Sequence, residues 1–153
     1  MTLSLHGSVT NRGLIPYSSV NSAGTAYTLT ATAAALDFGT TDPSLTITSP
    51  GTYLIMATAN IVYTAATFAA VRDVTLKLRR TNNTAADLTG GSVVTKTGII
   101  TTLTYTMQTP SWSVLYTTAN NNDVITIFGD VGVLPTAGTL DISAASLIAI
   151  RIA

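Results

Sequence analysis

One histidine, His6, and seven aspartates are almost all that this chain offers to acid–base, nucleophilic or metal chemistry; it has no glutamate and no cysteine. A single imidazole leaves a Ser-His-Asp triad to be built only if His6 reaches over from the N-terminal segment, and it rules out a site of several histidines. Without cysteine there is no thiolate nucleophile, no disulfide and no thiolate metal site. The aspartates are spread singly and mostly at turns, where a short carboxylate hydrogen-bonds its own backbone. Asp37, Asp42, Asp123 and Asp130 fall in loops and are the only set that could gather around a calcium ion, which takes about six to eight oxygen ligands. Their spacing does not follow the Asp-x-Asp-x-Asp-Gly pattern of a calcium loop. Neither catalytic residues, nor a metal site, nor a cofactor are therefore expected.

Two further groups of side chains could bind without catalysing. Lys77, Arg79 and Arg80 form the one basic cluster, with Lys77 and Arg79 on one strand face and Arg80 on the other. It reads as a solvated strand face, or as a partner for aspartates of a neighbouring subunit or an anionic surface. Tyr53, Tyr63, Tyr105, Trp112 and Tyr116 lie in strand-like runs, where aromatics serve a core or a subunit contact more readily than a sugar platform. Asn82-Asn83-Thr84 has the form of a glycosylation sequon, discounted because no window resembles a secretion signal.

Composition narrows the function classes. Charged residues make up 9% of the chain and the formal net charge is zero, against about 25% charged residues in ordinary soluble domains. Neutral domains of positive mean hydropathy are poorly protected against association, which suggests that partners cover much of the surface. Scattered basic residues, only Arg12 among the first 70, give no basic stripe for nucleic acid. No apolar run reaches the roughly 18 residues of a membrane helix, so membrane insertion is not expected.

The elements that position these side chains are strands. The clearest run is Leu45 to Tyr63. Leu45-Thr46-Ile47-Thr48 alternates, Ser49-Pro50-Gly51 turns, and a long strand follows in which Tyr53, Ile55, Ala57, Ala59, Ile61 and Tyr63 share one face. The opposite face, Leu54, Met56, Thr58, Asn60 and Val62, is apolar at its start and polar in its middle. A strand apolar on both faces is covered on both. The strand Val71–Arg80 points Val74, Leu76 and Leu78 inward. Further strands are predicted around Ser92–Val94, Gly98–Met107, Trp112–Tyr116, Val124–Phe128, Leu140–Ile142 and Ser146–Ala153, with Thr64–Ala70 and Gly129–Gly138 as connections. Ala33-Ala34-Ala35 is too short to nucleate a helix after the alternation of Thr28–Thr32. Residues 1–24, rich in Gly, Asn and Pro, are expected as an arm, with a short strand near Leu3–Leu5; residues 25–153 form one domain. Eight to ten short strands without a helix or repeat fit an antiparallel β-sandwich or barrel.

The order of these motifs resembles the tumour-necrosis-factor-like jelly roll, the fold shared with the globular head of complement components. The residues that carry the likeness are the turn and strand Ser49-Pro50-Gly51-Thr52-Tyr53-Leu54-Ile55, the strands Val74–Arg80 and Asn122–Ile127, and the C-terminal strand Ser146–Ile152. It spans roughly Tyr27 to Ala153. The resemblance implies a homotrimer with one face of each sandwich near the threefold axis, and it places Tyr53, Leu54, Ile55, Met56, Ile148 and Ile150 at the subunit interface. The collagen-like stalk or membrane anchor of the secreted members is missing from the sequence, and the Thr/Ala-rich composition looks more like versions found in bacteriophage virions. The expected function is a non-enzymatic structural protein of a phage particle, a capsid decoration or head-fibre component held by its N-terminal arm. Its expected partners are itself and other virion proteins. The alternative is a receptor-binding head at a fibre tip or on a bacterial surface, using a host glycan or receptor and the loops around Asn82, Asn120 and Leu134.

Overall fold

The computed structural model describes residues 16–99 and 107–153. These fold as two antiparallel sheets packed face to face, with no helix among the described residues. The first sheet takes β1 (Pro16–Asn21), β3 (Tyr27–Thr28), β7 (Gly51–Thr67), β10 (Met107–Gln108), β11 (Ser111–Thr118) and β13 (Ala137–Arg151). Its main path runs β1-β13-β7, with β10 and β11 pairing in succession along the far edge of β7. The second sheet takes β4 (Ala34–Ala35), β6 (Ser44–Ile47), β8 (Asp73–Arg80), β9 (Ala86–Lys96) and β12 (Asp123–Asp130). It runs β4-β12-β8-β9, with β6 also on β12. A small ribbon joins β2 (Ala23–Gly24) to β5 (Gly39–Thr41).

The alternation in the sequence becomes the core. In β7 the residues Tyr53, Ile55, Ala57, Ala59, Ile61 and Tyr63 are each no more than 1% exposed. They meet Ala145, Leu147 and Ala149 of β13 and, from the second sheet, Leu76 and Leu78 of β8 and Ile125 and Ile127 of β12. Two faces of period-two strands thus bury one shared apolar layer, the usual solution for a sandwich. Phe68 closes one end of the core edge-on to Tyr63, ring centroids 6.4 Å apart. The Ser49-Pro50-Gly51 turn is as expected: Gly51 sits at φ 153°, and a Cβ there would stand 2.7 Å from the Ala153 carbonyl.

Several boundaries move. Residues 16–21 are strand rather than arm, because β1 pairs β13 from Pro16↔Ile150 to Asn21↔Ser146, and Ala23–Gly24 pairs β5; Leu3–Leu5 and the rest of the arm lie outside the described residues. β7 continues through Thr67, past the expected connection, because β13 supplies partners as far as Thr67↔Ala137. The two C-terminal strands are one, β13, bent by register shifts between Ala137 and Thr139 and between Ile142 and Ala144, where bulges re-aim side chains without ending the ladder. Gly129, expected in a loop, lies inside β12. A Cβ there would stand 2.8 Å from Leu29 and 2.9 Å from Leu76, so the core leaves room only for hydrogen. The strand expected around Ser92–Val94 extends from Ala86 to Lys96, and the one expected over Gly98–Met107 lies mostly outside the described residues.

Candidate assembly surface

The outer face of the first sheet is built by register. Leu54 of β7 stands between Ile150 of β13 and Leu115 of β11. One step along, Met56 stands between Ile148 and Ser113, then Thr58 between Ser146 and Ser111. The face therefore grades from an apolar strip into a hydroxyl-lined zone, where Thr58 and Ser146 share a hydrogen bond of 2.7 Å. Leu54, Met56 and Ile148 are half-buried. Leu115 is 64% exposed and Ile152, on the same face by alternation, 50%. The apolar strip is contiguous across three strands of an open sheet face.

The six residues expected at a subunit contact thus divide by face. Tyr53 and Ile55 point inward and are fully buried within one chain, and the Tyr53 hydroxyl donates to the Ser49 carbonyl at 2.8 Å. They have no surface left for a partner, and for these two the contact expectation gives way to core packing. Leu54, Met56, Ile148 and Ile150 all lie on the outer face. Ile150 is buried and the other three are half-buried. Leu115 joins them unanticipated; its pairing with Leu54 follows from the β7–β11 register, which the sequence pattern does not specify.

The basic cluster is occupied inside the chain. Lys77 and Arg79 both bind Asp87, at 2.8 and 3.2 Å, and the Arg79 guanidinium lies 5.4 Å from the centre of the Phe128 ring. Asp87 comes from β9, directly across from Arg79. Such half-exposed pairs contribute little to stability, and they leave the cluster without a free cationic face. Of the loop aspartates, Asp37 accepts from the Gly39 amide and Asp42 from the Phe38 amide, each at 2.8 Å. No group of three metal-ligating side chains gathers among the described residues. His6 and Tyr105 lie outside them. Trp112 packs against the core and donates its indole N–H to the Gly91 carbonyl at 3.1 Å, tying β11 to β9. Asn82 is held by its amide: Nδ2 donates to the Asn122 carbonyl at 2.6 Å and Oδ1 accepts from the Val124 amide at 2.7 Å.

The chemically densest spot lies at the end of the sandwich where the β8–β9 and β11–β12 loops meet. Asp123, expected as a turn residue, is fully buried. It shares the inward parity of Ile125 and Ile127 in β12, which is the signal that could have revealed it. Its carboxylate accepts from the Tyr116 hydroxyl at 2.5 Å, from the Thr118 hydroxyl, and from Asn83 Nδ2 at 2.9 Å. Arg80 stands 3.9 Å away. Burial pushes the Asp123 carboxyl up, but the hydrogen bonds from Thr118, Tyr116 and Asn83 and the charge of Arg80 outweigh it and hold the group below its ordinary value. Burial and the bond to Asp123 push the Tyr116 phenol up. Beside this cluster a groove of about 260 Å³ is walled by Arg80, Asp87, Leu88, Leu115 and Tyr116.

Solved structures share this architecture, among them the following two. The globular domain of zebrafish complement 1qA protein matches with a TM-score of 0.50 at 17% identity, over 88% of this chain and 95% of that one. The fold is a TNF-like jelly roll. The structure of Eiger TNF from S. frugiperda matches with a TM-score of 0.50 at 12% identity, over 91% of this chain and 94% of that one. No protein-family model and no curated protein matches the sequence. The jelly roll expected from the order of motifs is thus the fold observed.

Proposed function

We propose that this chain is a non-enzymatic structural module that assembles with two copies of itself through the outer face of its first sheet. The observation that carries this reading is the strip of Leu54, Met56, Ile148, Ile150 and Leu115, an apolar band on a sheet face that no helix covers among the described residues. The core does not need these residues, since the opposite parity of the same strands already fills it. A threefold ring is heterologous, so the strip on one copy meets a different surface on the next. The homotrimer is the arrangement that the jelly-roll resemblance implies, and 9% charged residues with zero net charge suit a molecule most of whose surface is shared.

The setting we propose is a bacteriophage particle, as a capsid decoration or head-fibre component whose N-terminal residues dock on other virion proteins. This part rests on the Thr/Ala-rich composition. Sedimentation of the purified protein tests the assembly: a trimer at micromolar concentration, converted to monomer by Met56→Lys with the fold intact, supports it, and a wild-type monomer refutes it. Labelling of purified phage particles by antibody against the chain tests the setting, and particles free of label would refute it.

A receptor-binding head is the second reading. It is favoured by the fixed presentation of the loops around Asn82 and Asn120, which are bound to each other rather than left free. Adsorption of the isolated protein to host cells, abolished by changes in those loops, would select it.

A further inference from the structure

We propose that Asp123 and the side chains around it form an acid-sensitive latch that holds two loops, residues 81–85 and 119–122, closed against each other at one end of the sandwich. Three independent features converge there. The first is the fully buried carboxylate, the only one among the described residues. It receives three donors: Tyr116 and Thr118 at the end of β11, and Asn83 from the facing loop.

The second is a set of backbone ties between the loops that all depend on the same alignment. Asn82 Nδ2 donates to the Asn122 carbonyl and Asn83 Nδ2 to the Asn121 carbonyl at 3.1 Å. The Thr81 amide donates to the Val124 carbonyl at 2.9 Å. The third is strain. Asn83, Thr84 and Asn122 have φ of 46°, 75° and 60°. Left-handed backbone is uncommon outside glycine and a real outlier for a β-branched threonine. Conformations of this kind persist only where the surroundings over-determine them. Here the surroundings are the bond from Asn83 to Asp123, the bond from Arg80 Nε to the Thr84 carbonyl at 2.9 Å and the bond from Asn82 to the Asn122 carbonyl.

Protonation undoes the arrangement at its centre. As a carboxylate, Asp123 only accepts, and both oxygens are in use. Once protonated, one oxygen becomes a donor facing two hydroxyls that were themselves donating to it, and Arg80 loses its counter-charge. The charged or titratable groups facing Asp123 are Arg80 from β8 and Tyr116 from β11. The facing loop contributes neutral Asn83, and β6 pairs apolar Ile47 with it. Asp87, farther along the groove, is bound to Lys77 and Arg79.

The sign follows from the depressed carboxyl. The latch is closed above the usual carboxylate range and opens as pH falls through the lower, folded-state value. The inward faces of β7 and β13 carry no carboxylate, so acid acts at this end before it acts on the central strands. Tyr116 and Arg80 also wall the groove, so opening the latch reshapes it.

Hydrogen exchange of the full chain, read by mass spectrometry in steps from neutral pH down to about pH 2, roughly two units below the ordinary carboxylate value, and corrected for intrinsic rates, tests this. The expected result is a loss of protection of about tenfold or more in residues 81–85 and 119–124 at acid pH, with β7 and β13 still protected. In Asp123→Asn those loops should exchange rapidly at every pH. Tyr116→Phe, which removes one donor to the carboxylate, should shift the opening to higher pH. The proposal is overturned if the loops keep their protection in acid, if loops and central strands open together, or if Tyr116→Phe leaves the opening pH unmoved.

Discussion

Ile55→Ala and Met56→Ala, made separately, should destabilise this protein in different ways although the residues are adjacent. Ile55 is fully buried, with Ala149 and Val114 as its cross-strand neighbours. Its truncation removes three carbon groups at about 0.8 kcal/mol each, or about 2.4 kcal/mol, and the unfilled cavity raises this to about 3–4 kcal/mol. For a chain of this size that corresponds to a fall of roughly 6–16 °C in Tm. Met56 points the other way and is half-buried in a single chain. Its truncation should cost below about 1 kcal/mol within the subunit and act mainly by weakening contact between copies. Urea unfolding at two protein concentrations a hundredfold apart separates the two. Ile55→Ala should lower the midpoint equally at both. Met56→Ala should reduce the concentration dependence that assembly confers on the wild type. Equal costs, or the larger intrinsic cost at Met56, would show that the faces of β7 are assigned the wrong way round.

At Gly138, φ is 70° and a Cβ would stand 2.3 Å from the Thr64 carbonyl oxygen. Gly132, at φ 63°, has open space around it. Gly132→Ala should therefore cost only the left-handed penalty of about 1–2 kcal/mol, and Gly138→Ala clearly more, both read from thermal melts. Asn82→Ala removes both bonds that its side chain makes to residues 122–124 and should cost about 1–3 kcal/mol, with the loss of protection confined to that end in hydrogen exchange. Trp112→Phe keeps the ring packing but orphans the Gly91 carbonyl. It should cost about 1 kcal/mol in urea unfolding, and no cost would mean that the tie between β11 and β9 is dispensable.

Much of the fold is written in period two. The run from Tyr53 to Tyr63 is legible because each inward residue is apolar and each turn carries Pro, Gly or Asn. The runs themselves indicate a sandwich, and the resemblance of their order to the tumour-necrosis-factor-like fold supplied the jelly roll. What could not be read is what a neighbour supplies. β7 runs on through Thr64–Thr67, whose own sequence looks like a connection, because β13 offers partners there. Residues 16–21 read as an arm because their pattern is irregular, yet β13 has an open edge for them. Tyr53 and Ile55 were equally apolar as core or contact, and only the position of the second sheet decides between the two. Asp123 was hidden by its asparagine neighbours, which announce a turn, while its parity with Ile125 and Ile127 places it inside. The three donors and the guanidinium charge that make this tolerable come from nearby β11 and from residues 40 and 43 positions away, and no local pattern links Arg80 or Asn83 to Asp123.

On the proposal above, the outer face of the first sheet is an assembly surface. Sedimentation equilibrium of the wild type beside Met56→Lys tests it most directly. The expected result is a trimer for the wild type and a folded monomer for the variant, the latter shown by an unchanged far-ultraviolet spectrum and a cooperative melt. A wild-type monomer at micromolar concentration, or a variant that remains trimeric with lysine at the centre of the strip, would contradict it.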